Sequence, residues 1–267
     1  MDTRPIGIFD SGIGGLTVLK QLKEDMPNES FIYLGDNLNF PYGEKSKKEI
    51  VELSRKNIQY FEKHNVKMVI IACGTATSQS LDIMNEIFSM PIIGIIEPTV
   101  QYIEKLKLKK VGVIATTGTI RSGTWEQKLK NKIPDIEVIN KACPLLAGIA
   151  EAGNAMSEEG LKAIHEYMKI FKENSVKTII LGCTHYPLLR SRIIEYFGEK
   201  VHIVNPAYET AMDLKSILEK KGIANQSGKP AVYDIYVRDT AEKFTQFANT
   251  ILPYDVAATK QINIEEY

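Results

Sequence analysis

The chain has 267 residues, of which 44% are hydrophobic and 25% are charged; this is typical of a globular protein and excludes a disordered or fibrous one. Lysine plus arginine equals aspartate plus glutamate at 33 each, so no basic excess favours nucleic acid, and we expect a small-molecule ligand. An odd number of cysteines, three, and the lack of an N-terminal secretory pattern predict a reducing cytoplasm, and no apolar run approaches the ~18 residues of a membrane span.

Short β-branched runs alternate with amphipathic helical patterns along the chain. This alternation predicts an α/β fold whose βαβ units build mainly parallel sheets. The predicted strands begin at Ile6, Phe31, Val69, Ile92, Val111, Ile136, Ile179, Val201 and Val232. A capping box formed by Ser46 and Glu49 predicts the start of one helix, and the apolar spacing within Ser157–Lys172 predicts another.

Two ordered sequence matches indicate an internal duplication. The stretch V-K-M-V-I-I-A-C-G-T, which contains Cys73, recurs as V-K-T-I-I-L-G-C-T-H, which contains Cys183. Likewise, I-G-I-F-D-S-G from Ile6 resembles V-G-V-I-A-T-T-G from Val111. We therefore predict two pseudo-symmetric α/β domains, with the C-terminal segment returning to complete the first. The predicted ranges are 1–97 plus 208–267 for the first domain and 98–207 for the second.

Both repeated cysteines follow a predicted strand, at the edge where open parallel sheets bind their ligands. Cys73 precedes a helix predicted from about Ser78, and Cys183 precedes Pro187, a residue suited to a first helical turn. Helix amides stabilise a nearby thiolate and can also hold a substrate carboxylate. A buried structural cysteine is the commoner case for either position alone, but the recurrence favours a shared chemical role.

The spacing of the cysteines argues against several other chemistries. C-T-H supplies two close ligands without the second cluster that a zinc site needs, and the C-x-x-C of a thioredoxin-type site is absent from the sequence. Two similar domains that close on one ligand would instead place one thiol on each of its faces. A reaction that uses opposite faces is inversion at carbon, in which one group removes a proton and the other supplies one.

Other polar turns are candidates for the same pocket. The glycine-rich turn D-S-G-I-G-G, residues 10–15, can bring backbone amides close to an anion, but Thr17 occupies the third glycine position of a dinucleotide fingerprint. A plain turn or cap remains an alternative for Asp10, and a plain turn is favoured for residues 41–43 on chemistry alone. His185, close to Cys183, could tune a thiol or bind a carboxylate.

Four motifs together resemble the glutamate racemase family: D-S-G-I-G-G-L-T-V-L from Asp10, P-Y-G from Pro41, A-C-G-T-A from Ala72 and G-C-T-H-Y-P-L-L from Gly182. The resemblance runs in order along nearly the whole chain. It implies a cofactor-independent, two-base isomerase that interconverts L- and D-glutamate and supplies D-glutamate for bacterial peptidoglycan. It also implies two pseudo-symmetric α/β domains, with the substrate in the cleft between them, and commonly a homodimer.

The resemblance also assigns roles to residues of this sequence. Cys73 would take the proton from D-glutamate with help from Asp10, and Cys183 would take it from L-glutamate with help from Glu151 and His185. The substrate-binding positions, chiefly backbone amides and hydroxyls, would be Asp10, Ser11, Tyr42, Gly43, Gly74, Thr75, Thr184 and His185. The turn T-T-G-T, residues 116–119, would add a contact from the second domain.

The chain departs from the family pattern where members usually carry asparagine and this sequence has Gly74. Losing one hydrogen bond to a charged ligand predicts transition-state binding weaker by about 1.5 to 3 kcal/mol, with water able to fill the gap. Smaller departures are Asn39, in place of a frequent arginine, and the Asn205-Pro206 pair, in place of Asp-Ser.

Two alternatives to glutamate racemisation stay open at this point. The first is a related racemase with another substrate such as aspartate. The motif C-T-H argues against it, because C-T-E is common in aspartate racemases. The second is a non-catalytic amino-acid-binding or regulatory protein. The presence of both cysteines argues against it.

Overall fold

The computed structural model describes residues 1–198, 200–252 and 259–264. Within these ranges the strands are β1 (Ile6–Asp10), β2 (Phe31–Gly35), β3 (Met68–Ile71), β4 (Ile92–Gly94), β5 (Lys110–Ala115), β6 (Glu137–Ala142), β7 (Thr178–Leu181), β8 (His202–Val204), β9 (Tyr233–Val237) and β10 (Lys260–Gln261). The α-helices there are α1 (Leu16–Asp25), α2 (Lys47–Lys63), α3 (Gly74–Ile87), α4 (Ile96–Lys105), α5 (Thr117–Ser122), α6 (Thr124–Lys132), α7 (Pro144–Glu151), α8 (Glu158–Glu173), α9 (Arg190–Phe197), α10 (Pro206–Lys220) and α11 (Ala241–Ile251). Short 3-10 turns occupy Asn37–Asn39, Tyr42–Glu44 and Tyr186–Leu189.

The strands form two sheets in which every pairing is parallel. The first sheet has the order β10-β9-β2-β1-β3-β4, and the second has the order β6-β5-β7-β8. The predicted α/β class and parallel sheets are therefore confirmed. Each sheet and the helices packed on it form one lobe, and the order β2-β1-β3-β4 of the first lobe recurs as β6-β5-β7-β8 in the second.

One packing contact occurs in both lobes and supports the duplication. In β1, a Cβ on Gly7 would lie 2.7 Å from the ring of Phe61 on α2, and in β5 a Cβ on Gly112 would lie 2.6 Å from the ring of Phe171 on α8. In each lobe a glycine of the central strand thus leaves room for a helix phenylalanine. The matched strands that begin at Ile6 and Val111 occupy equivalent places.

The C-terminal segment returns to the first sheet. β9 pairs with β2, placing Tyr233 opposite Phe31, and α10 packs against α1. The chain therefore passes from the first sheet to the second through α4 and comes back through α10. The domain boundaries given above stay a prediction.

Apolar side chains fill both faces of each sheet. In the first lobe, α1 and α10 cover one face through Leu19 and Leu214, and α2 covers the other through Ile58. In the second lobe, α7 and α8 cover one face, and α4 and α6 cover the other, where Trp125 and Val100 are buried. No helix in the described ranges combines the length and apolar character that crossing a bilayer requires.

Two helix starts can be compared with the sequence prediction. The capping box of Ser46 and Glu49 at the start of α2 is present in both directions, as predicted. The helix after Cys73, however, begins at Gly74 and not near Ser78, so that prediction was wrong. Cys73 is itself the residue that caps α3, which places its thiol directly at the helix amides.

Candidate active site

Cys73 lies at the junction of β3 and α3 and is 4% exposed. Its Sγ lies 3.7 Å from Ser11 Oγ, at the end of β1, the neighbouring strand. Burial raises the pKa of the Cys73 thiol to about 12, and the charges of Asp10 and Cys183 act in the same direction. Cys73 is therefore a protonated thiol at neutral pH.

Cys183 lies at the equivalent place in the second lobe, after β7, and has different polar partners. Its Sγ lies 3.8 Å from His185 Nδ1, and Nε2 of the same ring lies 2.5 Å from Glu151 Oε2 at the end of α7. Burial would lower the pKa of His185, but the bonds to Cys183 and Glu151 outweigh it and raise this pKa well above its ordinary value. The raised pKa favours the imidazolium form of His185, whose ring lies between the Cys183 sulfur and Glu151 Oε2.

Asp10 joins the two lobes through a buried hydrogen bond. Its Oδ2 accepts from Thr184 Oγ1 at 3.0 Å, and its Oδ1 accepts from the Gly12 amide at 3.1 Å. Burial raises the pKa of the Asp10 carboxyl, against the lowering effects of the His185 charge and of these hydrogen bonds. The turn after β1 also approaches the second lobe closely, because a Cβ on Gly14 would lie 2.5 Å from His185 Nδ1.

A second cross-lobe contact is made of hydroxyl groups. Thr75 Oγ1, in the first turn of α3, lies 2.9 Å from Thr116 Oγ1 and 3.2 Å from Thr119 Oγ1. A Cβ on Gly43 would lie 2.6 Å from the Cβ of Thr116, so the 3-10 turn of the first lobe also meets this group. The predicted positions 43 and 75 and the T-T-G-T turn are therefore brought together.

Tyr42 is held by the first lobe. Its hydroxyl donates to Asp36 Oδ2 and accepts from Asn57 Nδ2, and Asp36 Oδ1 accepts from Arg238 Nη1 at 3.1 Å and from Asn39 Nδ2 at 2.8 Å. Because the Tyr42 hydroxyl is occupied inside this network, only the backbone of Tyr42 is left to meet a substrate. The side chain fixes the turn that carries Gly43.

A cavity of about 340 Å³ opens beside these groups, between the turn of residues 40–44 and α7. Among the described residues that line it are Gly43 and Thr116, and the two buried cysteines do not line it. Phe40 lines this cavity and a second one of about 310 Å³ that reaches Glu151, and its ring centroid lies 5.3 Å from that of His185. Phe40 therefore borders both cavities and contacts the ring of His185, the partner of Cys183.

Sequence reasoning missed three residues of this arrangement. Asp36 follows β2 at the ligand-binding edge of the sheet, a signal that was available. Asn57 shares the buried side of α2 with Ile58 and Phe61, and a polar side chain at that helical spacing indicates a buried partner. Phe40 carries no comparable signal, because nothing local distinguishes it from any loop phenylalanine. Within the described residues no group of three His, Cys, Asp or Glu side chains is arranged to hold a metal ion.

Comparison with known proteins assigns the chain to a family. Residues 16–213 match the family described as Asp/Glu/Hydantoin racemase. The chain belongs to this racemase family. A relative in the family is the glutamate racemase of Limosilactobacillus reuteri (strain DSM 20016), which is 35% identical over 266 residues that span 100% of this chain and 99% of the relative.

Solved structures of family members have the same fold over their whole length. The glutamate racemase of Francisella tularensis SCHU S4, in complex with D-glutamate, superimposes with a TM-score of 0.93 at 34% identity and covers 100% of both chains. The Thermus thermophilus glutamate racemase, in complex with beta-chloro-D-alanine, gives a TM-score of 0.89 at 32% identity, also over 100% of both chains. The two-lobe architecture found here is thus shared by full-length racemases.

Proposed function

We propose that this chain interconverts L- and D-glutamate by a two-base mechanism in which Cys73 serves one face of the α-carbon and Cys183 the other. The observation that carries the proposal is the placement of the two thiols. Each follows the equivalent strand of its own lobe, β3 for Cys73 and β7 for Cys183. Full-length glutamate racemase relatives support glutamate as the substrate.

The polar partners of the two thiols suit the direction from L- to D-glutamate. The imidazolium of His185 supplies a positive charge beside Cys183, so this sulfur can act as a thiolate base on the α-hydrogen. Cys73, with a pKa raised to about 12, holds a proton and can deliver it to the opposite face of the carbanion. The bond to the old hydrogen breaks on one side, and the new bond forms on the other.

In the reverse direction the two thiols exchange roles. Cys73 must then start as the thiolate, stabilised by the amides at the start of α3 and by the Ser11 hydroxyl, and Cys183 must start as the thiol. Asp10 lies near enough to raise the pKa of Cys73, so its charge favours return of the proton to that sulfur. Both proton transfers are made by side chains of this chain, and we propose that no cofactor takes part.

The substrate carboxylates would be held by groups at the lobe junction. The amides at the start of α3 and the hydroxyls of Thr75 and Thr184 are donors of the kind that bind carboxylates, and the turn at Gly43 adds backbone donors. Thr75 and Thr184 are hydrogen-bonded across the lobes to Thr116 and Asp10. A bound glutamate would therefore replace these contacts. Its D-enantiomer would serve bacterial peptidoglycan.

The test is a circular dichroism assay of purified protein with L-glutamate, D-glutamate and L-aspartate, without added cofactor. We expect loss of optical rotation with either glutamate and none with aspartate, and the Cys73→Ser/Cys183→Ser double variant serves as the matched control. Turnover of aspartate alone would reject the substrate, and binding of glutamate without turnover would favour a regulator. Strict dependence on an added cofactor would reject the two-thiol chemistry. The homodimer and the cytoplasmic location stay predictions.

A further inference from the structure

Two glycines meet where the lobes face each other. Gly74, the first residue of α3, directly follows Cys73, and Gly182 directly precedes Cys183. A Cβ on Gly74 would lie 2.3 Å from the Gly182 carbonyl oxygen and 3.3 Å from its carbonyl carbon. The position that a Cβ of residue 74 would take is therefore occupied by the backbone of the other lobe.

Gly182 cannot retreat from this contact. Its amide donates to the Ile114 carbonyl at 2.7 Å, which ties it to the neighbouring strand β5. A Cβ on Gly182 would lie 2.9 Å from the same carbonyl oxygen, and 3.0 Å from both Ala115 Cβ and Trp125 Nε1, so its other side is packed as well. A side chain at position 74 must therefore push the start of α3 away from the second lobe.

We propose that Gly74 is a positioning residue whose missing side chain lets α3 abut Gly182 and so sets the separation of Cys73 and Cys183. The inference rests on the proposed function, because the separation matters for two thiols that act on one carbon. It differs from the expectation that glycine merely deprives the substrate of an amide contact. In this chain the glycine fits the contact, and the asparagine of the relatives would impair it.

The expected effect is on the chemical step. Each added atom at position 74 moves Cys73 away from Cys183, and one of the two sulfurs must then lie too far from the α-carbon. A misplacement of about 1 Å can cost about a hundredfold in rate, so we expect Gly74→Ala to lower kcat at least about tenfold and Gly74→Asn to lower it further. The value of kcat/KM should fall by the same factor for L-glutamate and for D-glutamate, because the two enantiomers have equal free energy in solution.

A thiol-labelling experiment tests the spacing independently of turnover. Cys73, Cys143 and Cys183 are all buried, so iodoacetamide should label each slowly in the wild-type protein, as measured by peptide mass spectrometry. In Gly74→Ala and Gly74→Asn we expect labelling of Cys73 and Cys183 to accelerate at least about tenfold. Cys143, inside the second lobe, should stay slow, whereas general unfolding would expose all three.

Gly148→Ala is the matched control, because a Cβ on Gly148 in α7 meets nothing within 4 Å, and it should keep wild-type activity and labelling. Wild-type turnover in Gly74→Ala or Gly74→Asn, with slow labelling of Cys73 and Cys183, would overturn the proposal. Equal acceleration at Cys143, or a Gly74→Ala chain that does not fold, would also overturn it, since separable lobes accommodate a methyl group. A wild-type chain inactive on glutamate would reject the proposed function, while the labelling pattern would still decide the spacing.

Discussion

His185 Nε2 lies 2.5 Å from Glu151 Oε2, while Nδ1 of the same ring lies 3.8 Å from Cys183 Sγ. The ring thus connects a carboxylate at the end of α7 with the sulfur after β7. With both nitrogens engaged, the protonated form is favoured, and burial alone does not remove the charge. Cys73 has no such cation beside it among its described partners, so the two thiols of the repeat are chemically unequal.

Removing the charge of Glu151 should make the enzyme more sensitive to alkaline pH. Glu151→Gln keeps the shape of the side chain but removes one cause of the raised pKa of His185, which then falls toward its ordinary value of about 6.5. The imidazolium is lost as pH rises through this pKa, so the alkaline limb of kcat/KM should move to lower pH. A pH profile with L-glutamate measures it. Glu195→Gln is the control, because Glu195 forms an ion pair with Arg192 at the surface, and it should leave the pH profile unchanged. An alkaline limb of kcat/KM that does not move in Glu151→Gln would contradict the role assigned to Glu151 in raising the pKa of His185.

Removing the Thr184 hydroxyl should move the acidic limb of the pH–activity profile to higher pH. In Thr184→Val, Asp10 loses a hydrogen bond that lowers its pKa, so the pKa of this buried carboxyl rises further. Asp10 is then protonated at a higher pH, and activity that depends on its carboxylate should disappear earlier on acidification. We expect stability to fall by about 1 to 3 kcal/mol, since a buried acceptor loses its donor. Thr184→Ser, which keeps the hydroxyl, should restore the acidic limb, and equal profiles for both variants would argue against the contact.

The buried ion pair of Arg238 and Asp36 should control both stability and substrate affinity. Their side chains are 4% and 0% exposed, and Asp36 also accepts from the Tyr42 hydroxyl. Arg238→Met would leave a buried carboxylate without its cation, which costs about 3 to 5 kcal/mol. The turn that carries Gly43 would loosen, so KM should rise more than kcat falls.

Urea unfolding and steady-state kinetics of Arg238→Met measure the two effects. Arg55→Met is the matched control, because the Arg55–Glu52 pair is exposed on α2 and should contribute less than about 1 kcal/mol. A loss of kcat at constant KM in Arg238→Met would show that the network acts on the chemical step instead of on the turn.

The sequence predicted most of the sheet architecture because its signals are local. Most strands from Ile6 to Val232 are short apolar runs rich in β-branched residues. The repeat around Cys73 and Cys183 places both thiols at strand ends whatever the tertiary detail. The short strand β10, Lys260–Gln261, was missed because two exposed residues carry no apolar pattern. Pairing with β9, not composition, makes it a strand.

The contacts between lobes could not be predicted in the same way. The hydrogen bond from Thr184 to Asp10 joins residues far apart in sequence, and so does the contact of Gly74 with Gly182. Such contacts depend on how the two lobes pack, which no local pattern encodes. The start of α3 was placed too late for a related reason, because glycine and threonine after Cys73 have low helix propensity, and tertiary packing outweighs it.

Each thiol should be needed for racemisation, although each acts first on one enantiomer only. In Cys73→Ser and in Cys183→Ser one of the two groups becomes a far weaker base, and overall turnover requires both, so we expect a loss of at least about a hundredfold in either variant. The equal free energies of the enantiomers force the loss in kcat/KM to be the same from both sides. Racemisation rates alone therefore cannot show which face each thiol serves.

A glutamate analogue with chloride on Cβ can show which face each thiol serves. Removal of its α-hydrogen is followed by formation of the Cα–Cβ double bond and departure of chloride. Cys73→Ser should still release chloride from the L-series analogue through Cys183, and Cys183→Ser should do so from the D-series through Cys73. Cys143→Ser is the control: Cys143 is buried, and its Sγ donates to the Lys141 carbonyl, so its loss should change stability more than rate. Near wild-type racemisation by both Cys73→Ser and Cys183→Ser would refute the two-thiol mechanism, and chloride release with the opposite preference would reverse the assignment of the faces.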